Sequence, residues 1–338
     1  MIDDIKITKA MERIEQLFYE TNGKYCVSFS GGKDITVILA LIKMCEELYT
    51  IPPNGITAIF SNTGLELGAI VDFVKWCKSE WYPNIQIIRP EKSFYYIINK
   101  YGKPIKSKVK SEFLYRYQNG NRSKNTMTNL LGEDGKVVKS KIANKDLHLL
   151  HDDFDIKISN KCCELLKKKP IDSYHKQFGF KGYIVGERVA EGGVRATNTQ
   201  KRINDGGKIC TKLKGNYVVK LPIIDWTDED VDSFIEKYNV PLSKAYTEQG
   251  YKRTGCFLCP FSLQIDKNLE KLYLYEPNRY KASMVWLKDV FIAQNIKLLF
   301  DEQYETERKK KWNDMYFDMR EEVLEKYRPN ARKFKKGK

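Results

Sequence analysis

The chain has 338 residues, of which 42% are hydrophobic and 12% aromatic, so it can bury a sizeable core; a disulfide-stapled miniprotein and a wholly disordered chain are excluded. Its 59 lysines and arginines exceed its 44 acids, and the resulting net charge of +15 attracts polyanions. No run approaches the roughly 18 apolar residues that a bilayer span needs, and the N-terminus lacks the apolar core of a secretion signal, so a cytoplasmic protein with reduced cysteines and no membrane partner is expected.

Ile7, Met11, Ile14, Leu17 and Phe18 recur at helical spacing and predict a helix over residues 7–21. Tyr25–Phe29 is a short apolar strand candidate that runs through Ser30-Gly31-Gly32-Lys33-Asp34 into an apolar helix over Ile35–Leu48. Pro52-Pro53-Asn54-Gly55 breaks the chain before a strand at Ile56–Phe60, a helix over Leu67–Lys78 and a third strand at Ile85–Ile88. Alternating β and α segments of this length predict an α/β fold, a parallel sheet with helices on both faces.

The pattern then weakens. Between Lys100 and Lys139 there are ten basic residues against three acidic ones, with turn signals at Asn119-Gly120-Asn121 and Glu133-Asp134-Gly135, which reads as a basic, partly mobile insertion. A helix over about 160–177, a strand at Tyr183–Val185, a glycine-rich loop, a strand at Tyr217–Leu221 and a helix capped by Thr227, with Asp230 at the box position, follow in order. The expected organisation is an α/β core over 1–100 and 160–262, the insertion at 101–159, a helical C-terminal region at 263–327 and a basic tail at 328–338.

Glycines between a strand and a helix let the backbone wrap an anion while the helix N-terminus points N–H groups at it. Ser28, Ser30, Gly31, Gly32, Lys33 and Asp34 form such a segment. It is similar to the PP-loop of ATP pyrophosphatases, with Ile35 where that motif has a serine and Thr36 following as the nearest hydroxyl. Asn62-Thr63-Gly64-Leu65-Glu66, at the end of the next strand, resembles a turn beside the nucleotide in the phosphoadenylyl-sulfate (PAPS) reductase branch of those proteins; an ordinary helix entry would look the same. Gly186-Glu187-Arg188 and the following stretch to Arg195 resemble that branch's phosphate- or sulfate-contacting loop, with Gly192 in place of its serine. Salt bridging of Arg188 and Arg195 to Glu187 or Glu191 is the alternative reading.

Cys162-Cys163 and Cys256-Phe257-Leu258-Cys259 bring two pairs of thiols, a donor set suited to an iron–sulfur cluster or to zinc. The arrangement resembles the set that ligates a 4Fe-4S cluster in adenylyl-sulfate reductases. Cys26, Cys45 and Cys77 fall on strand or helix faces and read as buried small hydrophobes. From Tyr25 to Pro260 the chain therefore resembles the PAPS reductase-like branch of PP-loop proteins.

That resemblance implies an adenine nucleotide, ATP or adenylyl sulfate, bound with Mg²⁺, and catalytic parts for Lys33, Asp34 and Arg188. Reductases of the family also carry a C-terminal catalytic cysteine, whereas the last cysteine here is Cys259, so a sulfurtransferase is the expected activity. Its acceptor would be DNA or RNA, in keeping with the charge, and its sulfur would come from a donor protein such as a cysteine desulfurase. An adenylyl-sulfate or phosphoadenylyl-sulfate reductase or sulfotransferase is the second reading. A noncatalytic nucleic-acid-binding module with a structural cluster is the third.

Overall fold

The computed structural model describes residues 2–133, 137, 138, 140–296, 298, 310, 312–320 and 323, and for Val194 and Arg195 the backbone alone. The turn expected around Gly135 and the basic tail lie outside the described residues. In chain order the elements are α1 (Asp4–Thr21), β1 (Tyr25–Ser28), α2 (Lys33–Glu47), β2 (Thr57–Ser61), α3 (Gly68–Trp76), β3 (Ile85–Ile88), α4 (Phe94–Tyr101), α5 (Lys108–Gln118) and α6 (Lys124–Leu131). There follow α7 (Lys161–Cys163), α8 (Lys169–Gln177), β4 (Gly182–Ile184), α9 (Gly193–Asn204), β5 (Thr211–Lys214), β6 (Tyr217–Lys220), α10 (Asp228–Lys237), α11 (Lys244–Thr247), α12 (Ile265–Tyr275) and α13 (Pro277–Ala293).

These elements form two compact units, residues 1–91 with 168–254, and residues 92–167 with 255–338. The first contains a six-stranded sheet in the order β3-β2-β1-β4-β6-β5, parallel except for β5, which pairs antiparallel with β6. Cys26, Tyr183 and Val219 align across β1, β4 and β6 and join Ile59, Leu221 and Ile224 in the core of one face, where α8 brings His175 against Cys26. The other face carries α1: a Cβ on Gly182 would lie 3.0 Å from Leu17, and the buried Lys220 ammonium donates to Gln16 at 3.0 Å. Helices cover both faces, as the alternation of segments predicts.

Local signals explain most boundaries. Asp3 caps α1 by accepting from the Ile5 amide, and Thr227 and Asp230 form the reciprocal capping box at the start of α10. The helix expected over 160–177 is interrupted by a π-helical turn at Glu164–Lys168 before α8 begins at Lys169, with Pro170 in its first turn. Two elements differ from the sequence reading of 186–216 as a loop before a single strand. α9 has no apolar stripe to announce it, and β5 is a short polar edge strand returned through Gly215 at φ +57°.

The second unit is helical. The stretch read as an irregular insertion contains α5 and α6, capped by Ser107 and Ser123, with Leu114, Leu130 and Leu131 buried. Polar caps and isolated apolar anchors form these helices without the broad apolar period that sequence reading looks for. Gly102, at φ +109°, lets the chain approach Lys157, whose carbonyl oxygen would lie 2.6 Å from an added Cβ. Lys103 pairs with Asp289 at 2.8 Å, and Lys106 with the buried Asp146 at 2.8 Å. Among the described residues no helix is long and apolar enough to cross a membrane.

Candidate functional site

β1 and β4 are neighbours in the sheet, yet the chain leaves β1 toward β2 and leaves β4 toward β6. Such a reversal opens a crevice beyond the carboxyl ends of the two strands, where ligands bind in open α/β sheets. Both glycine loops singled out in the sequence start there. Gly31 takes φ +67°, and its missing Cβ would stand 3.1 Å from Ile70 and Val74. Gly32 is the N-cap of α2 and has no side chain with which to cap it, so the first amides of the helix are left to other partners. On the β4 side a Cβ at Gly186 would lie 3.1 Å from the Ile35 nitrogen and 3.2 Å from the Asp34 carbonyl carbon, so the two loops meet backbone to backbone.

Arg188 is enclosed within this junction, with only 4% of its surface exposed. Its Nε donates to Asp34 at 2.9 Å, one terminal nitrogen donates to Asp228 at 2.7 Å, and the other reaches the Trp226 carbonyl at 3.3 Å. Arg188 thus takes Asp34 and Asp228 as its carboxylates, while Lys212 holds Glu187 at 2.6 Å and Arg253 stands 4.0 Å from Glu191. Burial raises the Asp34 carboxyl above its ordinary range despite the opposing pull of Arg188, while the hydrogen bond from Arg188 holds Asp228 below that range. Lys33 extends to Asp232 at 2.6 Å. The two cations at the crevice are therefore both tied to α10.

Ile35 is buried, and Thr36 is fully buried with its hydroxyl donating to the Gly32 carbonyl at 2.8 Å. That hydroxyl is engaged inside its own helix and does not replace the serine expected at position 35. Ser28 is half-buried at the end of β1, and the Gly32 amide donates to the Ser30 hydroxyl at 3.4 Å. Asn62, Thr63 and Gly64 form a self-contained turn: the Gly64 amide donates to Asn62 at 3.1 Å, and the Thr63 amide and hydroxyl both donate to the buried Glu66 carboxylate at 2.9 Å. Gly192, at φ +69°, occupies backbone that the family serine would enter only with strain. Arg195 lies on α9, and its side chain is outside the described atoms.

Sequence reading missed Tyr246 and passed over Thr254. The Tyr246 hydroxyl shares a 2.7 Å hydrogen bond with the Thr254 hydroxyl and would be 3.5 Å from a Cβ on Gly32. A tyrosine from α11 thus stands against the turn that opens α2. No spacing rule connects residues 32 and 246, so no sequence signal marks the pair.

All four paired cysteines fall in the helical unit. Cys162 is buried, while Cys163, Cys256 and Cys259 are half-buried, and the Cys259 amide donates to the Cys256 carbonyl at 3.1 Å. The Cys162 thiol is pushed far up by its hydrogen bond with Cys163, then by burial and by Cys259 and Cys256. Burial first, then Cys256 and Cys163, push the Cys259 thiol up to about 12. Cys162 is thus influenced by each of the other three cysteines, and Cys259 by Cys256 and Cys163. Among the described residues no three His, Cys, Asp or Glu groups converge tightly enough for a single metal ion. Cys26, Cys45 and Cys77 are fully buried, as their positions in the sequence imply, and burial pushes each thiol up.

Residues 24–127 and 108–262 match the family described as phosphoadenosine phosphosulfate reductase domain. The chain belongs to this family. This PAPS reductase-family chain is 26% identical over 266 residues to an uncharacterized protein of Methanocaldococcus jannaschii, a match covering 77% of the chain and 48% of that protein. It is 30% identical over 100 residues to the adenosine 5'-phosphosulfate reductase of Rhodococcus opacus, covering 30% of the chain and 36% of that enzyme. The chain thus spans about half or less of the length of these curated relatives. Among solved structures it is similar to a phosphate complex of PAPS reductase from Candida auris, with 16% identity, a TM-score of 0.39, and coverage of 69% of this chain and 81% of that one.

Proposed function

We propose that this PAPS reductase-family protein is an enzyme that binds an adenine nucleotide, ATP or adenylyl sulfate, over the Ser30–Lys33 loop and activates a nucleic-acid acceptor for sulfur transfer. The observation that carries the nucleotide reading is the start of α2 at the sheet's reversal, where the N-cap Gly32 supplies no side-chain cap and Lys33 opens the helix. Lys33 and the loop amides hold the phosphates, and Arg195, a residue of α9, is assigned to the same anionic end. Arg188 positions Asp34, the residue that would meet Mg²⁺, and contacts the nucleotide only by giving up one of its two carboxylates. An acceptor oxygen attacks the α-phosphorus as the bond to pyrophosphate breaks. The outer sulfur of a donor persulfide, such as that of a cysteine desulfurase, then attacks the activated acceptor atom as its bond to AMP breaks, and a thiol reductant cleaves the resulting disulfide to free the donor cysteine.

Cys162, Cys163, Cys256 and Cys259 are assigned to a 4Fe-4S cluster, with zinc as the second candidate, because two cysteine pairs in one unit supply four thiolates and a cluster spreads its ligands more widely than a single ion. A cluster there would supply an iron able to carry electrons or bind sulfide. Sulfonucleotide reduction is the competing reading, favoured by the reductase relative. Of the four cysteines outside the set only Cys210 is not buried, so a reductase acting through this chain's remaining thiols would use it.

The deciding experiment offers anaerobically purified protein ATP with a nucleic acid and a sulfide donor, and separately adenylyl sulfate or phosphoadenylyl sulfate with a thiol reductant. Pyrophosphate release with sulfur appearing in the nucleic acid supports the proposal. Sulfite release abolished by Cys210→Ser overturns it in favour of the reductase, and nucleotide or nucleic-acid binding without either product leaves the noncatalytic module.

A further inference from the structure

α4 turns two opposite faces to its surroundings. Phe94, Ile97 and Ile98 are buried, with Phe94 edge-on to Trp286 at 5.6 Å between ring centroids, so the helix is anchored within its unit. The other face exposes Tyr95 and Tyr96, at 59% and 40%. Lys92, Tyr96 and Lys100 are spaced four residues apart in one row, and the two ammonium groups stand 5.4 and 5.5 Å from the Tyr96 ring centroid. Lys100 also donates to the Tyr96 hydroxyl at 3.1 Å, and Lys157 donates to the Lys100 carbonyl at 3.1 Å.

The cations differ from their neighbours in one respect. Lys103, Lys106 and Lys161 are each paired with a carboxylate, whereas among the described residues no carboxylate pairs with Lys92, Lys100 or Lys157. Their charge is available to a partner. An exposed phenol face beside unpaired lysines matches the two parts of a single nucleotide, a base that stacks and a phosphate that needs a cation. A duplex keeps its bases stacked on each other and offers only the phosphate. A lipid surface would call for exposed aliphatic residues, and the aliphatic side chains of this helix are turned inward.

We propose that the Tyr95–Tyr96 face of α4, with Lys92, Lys100 and Lys157, is a docking surface for an unpaired nucleic-acid strand. The proposal rests on the nucleic-acid reading of the acceptor and supplies the surface that engages it. The tyrosines stack on bases without regard to sequence, and the lysines track the backbone.

The test is fluorescence anisotropy of the full chain with a labelled oligothymidylate of twelve nucleotides, a duplex of the same length, and cosedimentation with phosphatidylserine vesicles. Tight binding of the single strand over the duplex is expected. Y95A/Y96A should weaken it tenfold or more while Y95F/Y96F retains it, because stacking needs the ring and not the hydroxyl. K92Q/K100Q should flatten the log–log salt slope by about 1.4, two contacts at roughly 0.7 each. Unaltered thermal melting of the variants, whose side chains are at the surface, keeps the comparison valid. Single-strand binding that ignores all three variants overturns the docking surface and leaves the acceptor reading standing. No binding of either oligonucleotide overturns both, and vesicle binding that depends on the tyrosines assigns the face to a lipid surface instead.

Discussion

Arg188 shows how one side chain can bear on both stability and binding. It is buried against Asp34, Asp228 and the Trp226 carbonyl, so Arg188→Ala leaves the largely enclosed Asp34 without its cation. A loss of about 3 kcal/mol in urea unfolding is expected, the order seen when one partner of a buried pair is removed. The loss should also depend on pH. An acid whose folded pKa is raised favours folding when protonated and opposes it when ionised, so Asp34 costs stability as pH rises through and above the ordinary aspartate range. Removing Arg188 raises that pKa further, and the deficit of the variant should be smaller at pH 4 than at pH 7. A deficit independent of pH would place the effect in packing alone. Arg188 and the glycines around it were legible in the sequence because their motif is local. The partners of Arg188 were not, since Asp228 lies forty residues away and becomes a neighbour only when α10 folds back over the loop.

At the scale of elements, α10 is the fixture that holds the loop's cations. Its start is set by the capping box of Thr227 and Asp230, and the residue between cap and box that faces the site is Asp228. Thr227→Ala should lower stability by about 1 kcal/mol and, by fraying the first turn, loosen Asp228 from Arg188. Thermal melting measures the first effect, and weaker nucleotide affinity in calorimetry the second; an unchanged affinity would show that α10 serves the fold only. Burial pulls the Asp230 carboxyl up, but Lys6 and the Thr227 amide outweigh it, and Arg188 depresses Asp228. Both depressed groups contribute stability at neutral pH that is lost as pH falls below the ordinary aspartate range, opposite in sign to Asp34. The capping box was readable from its spacing. α9 and β5 were not, because neither presents a continuous apolar period.

For the whole molecule, the chemistry divides between units that the chain enters and leaves twice. The glycine loops, Arg188 and Tyr246 lie in the α/β unit, while the four cysteines and the aromatic face of α4 lie in the helical one. Hydrogen–deuterium exchange can follow each unit separately. Saturating ATP should slow exchange at residues 28–36 and 186–190, where amides become ligand donors or are shielded. Cys162→Ala should remove iron from the protein and speed exchange at 158–163 and 256–262. Protection by ATP confined to other segments would displace the nucleotide from the sheet's reversal, and an iron content unaltered by the substitution would remove Cys162 from the donor set.

The order of β1, α2, β2, α3, β3, β4, β6 and α10, the glycine loops, the cysteine pairs and the basic excess were determined by the sequence itself, because each depends on residues within a few positions of one another. Periodicity, capping and turn chemistry act over that range, and a family motif is a record of the same local constraints. The tertiary structure decided what no local rule contains: that β1 and β4 are neighbours at the reversal, that Arg188 is neutralised by two aspartates, and that Tyr246 stands beside Gly32. Each depends on which segments pack together, and burial then selects the partners by the cost of leaving a charge or an amide unsatisfied.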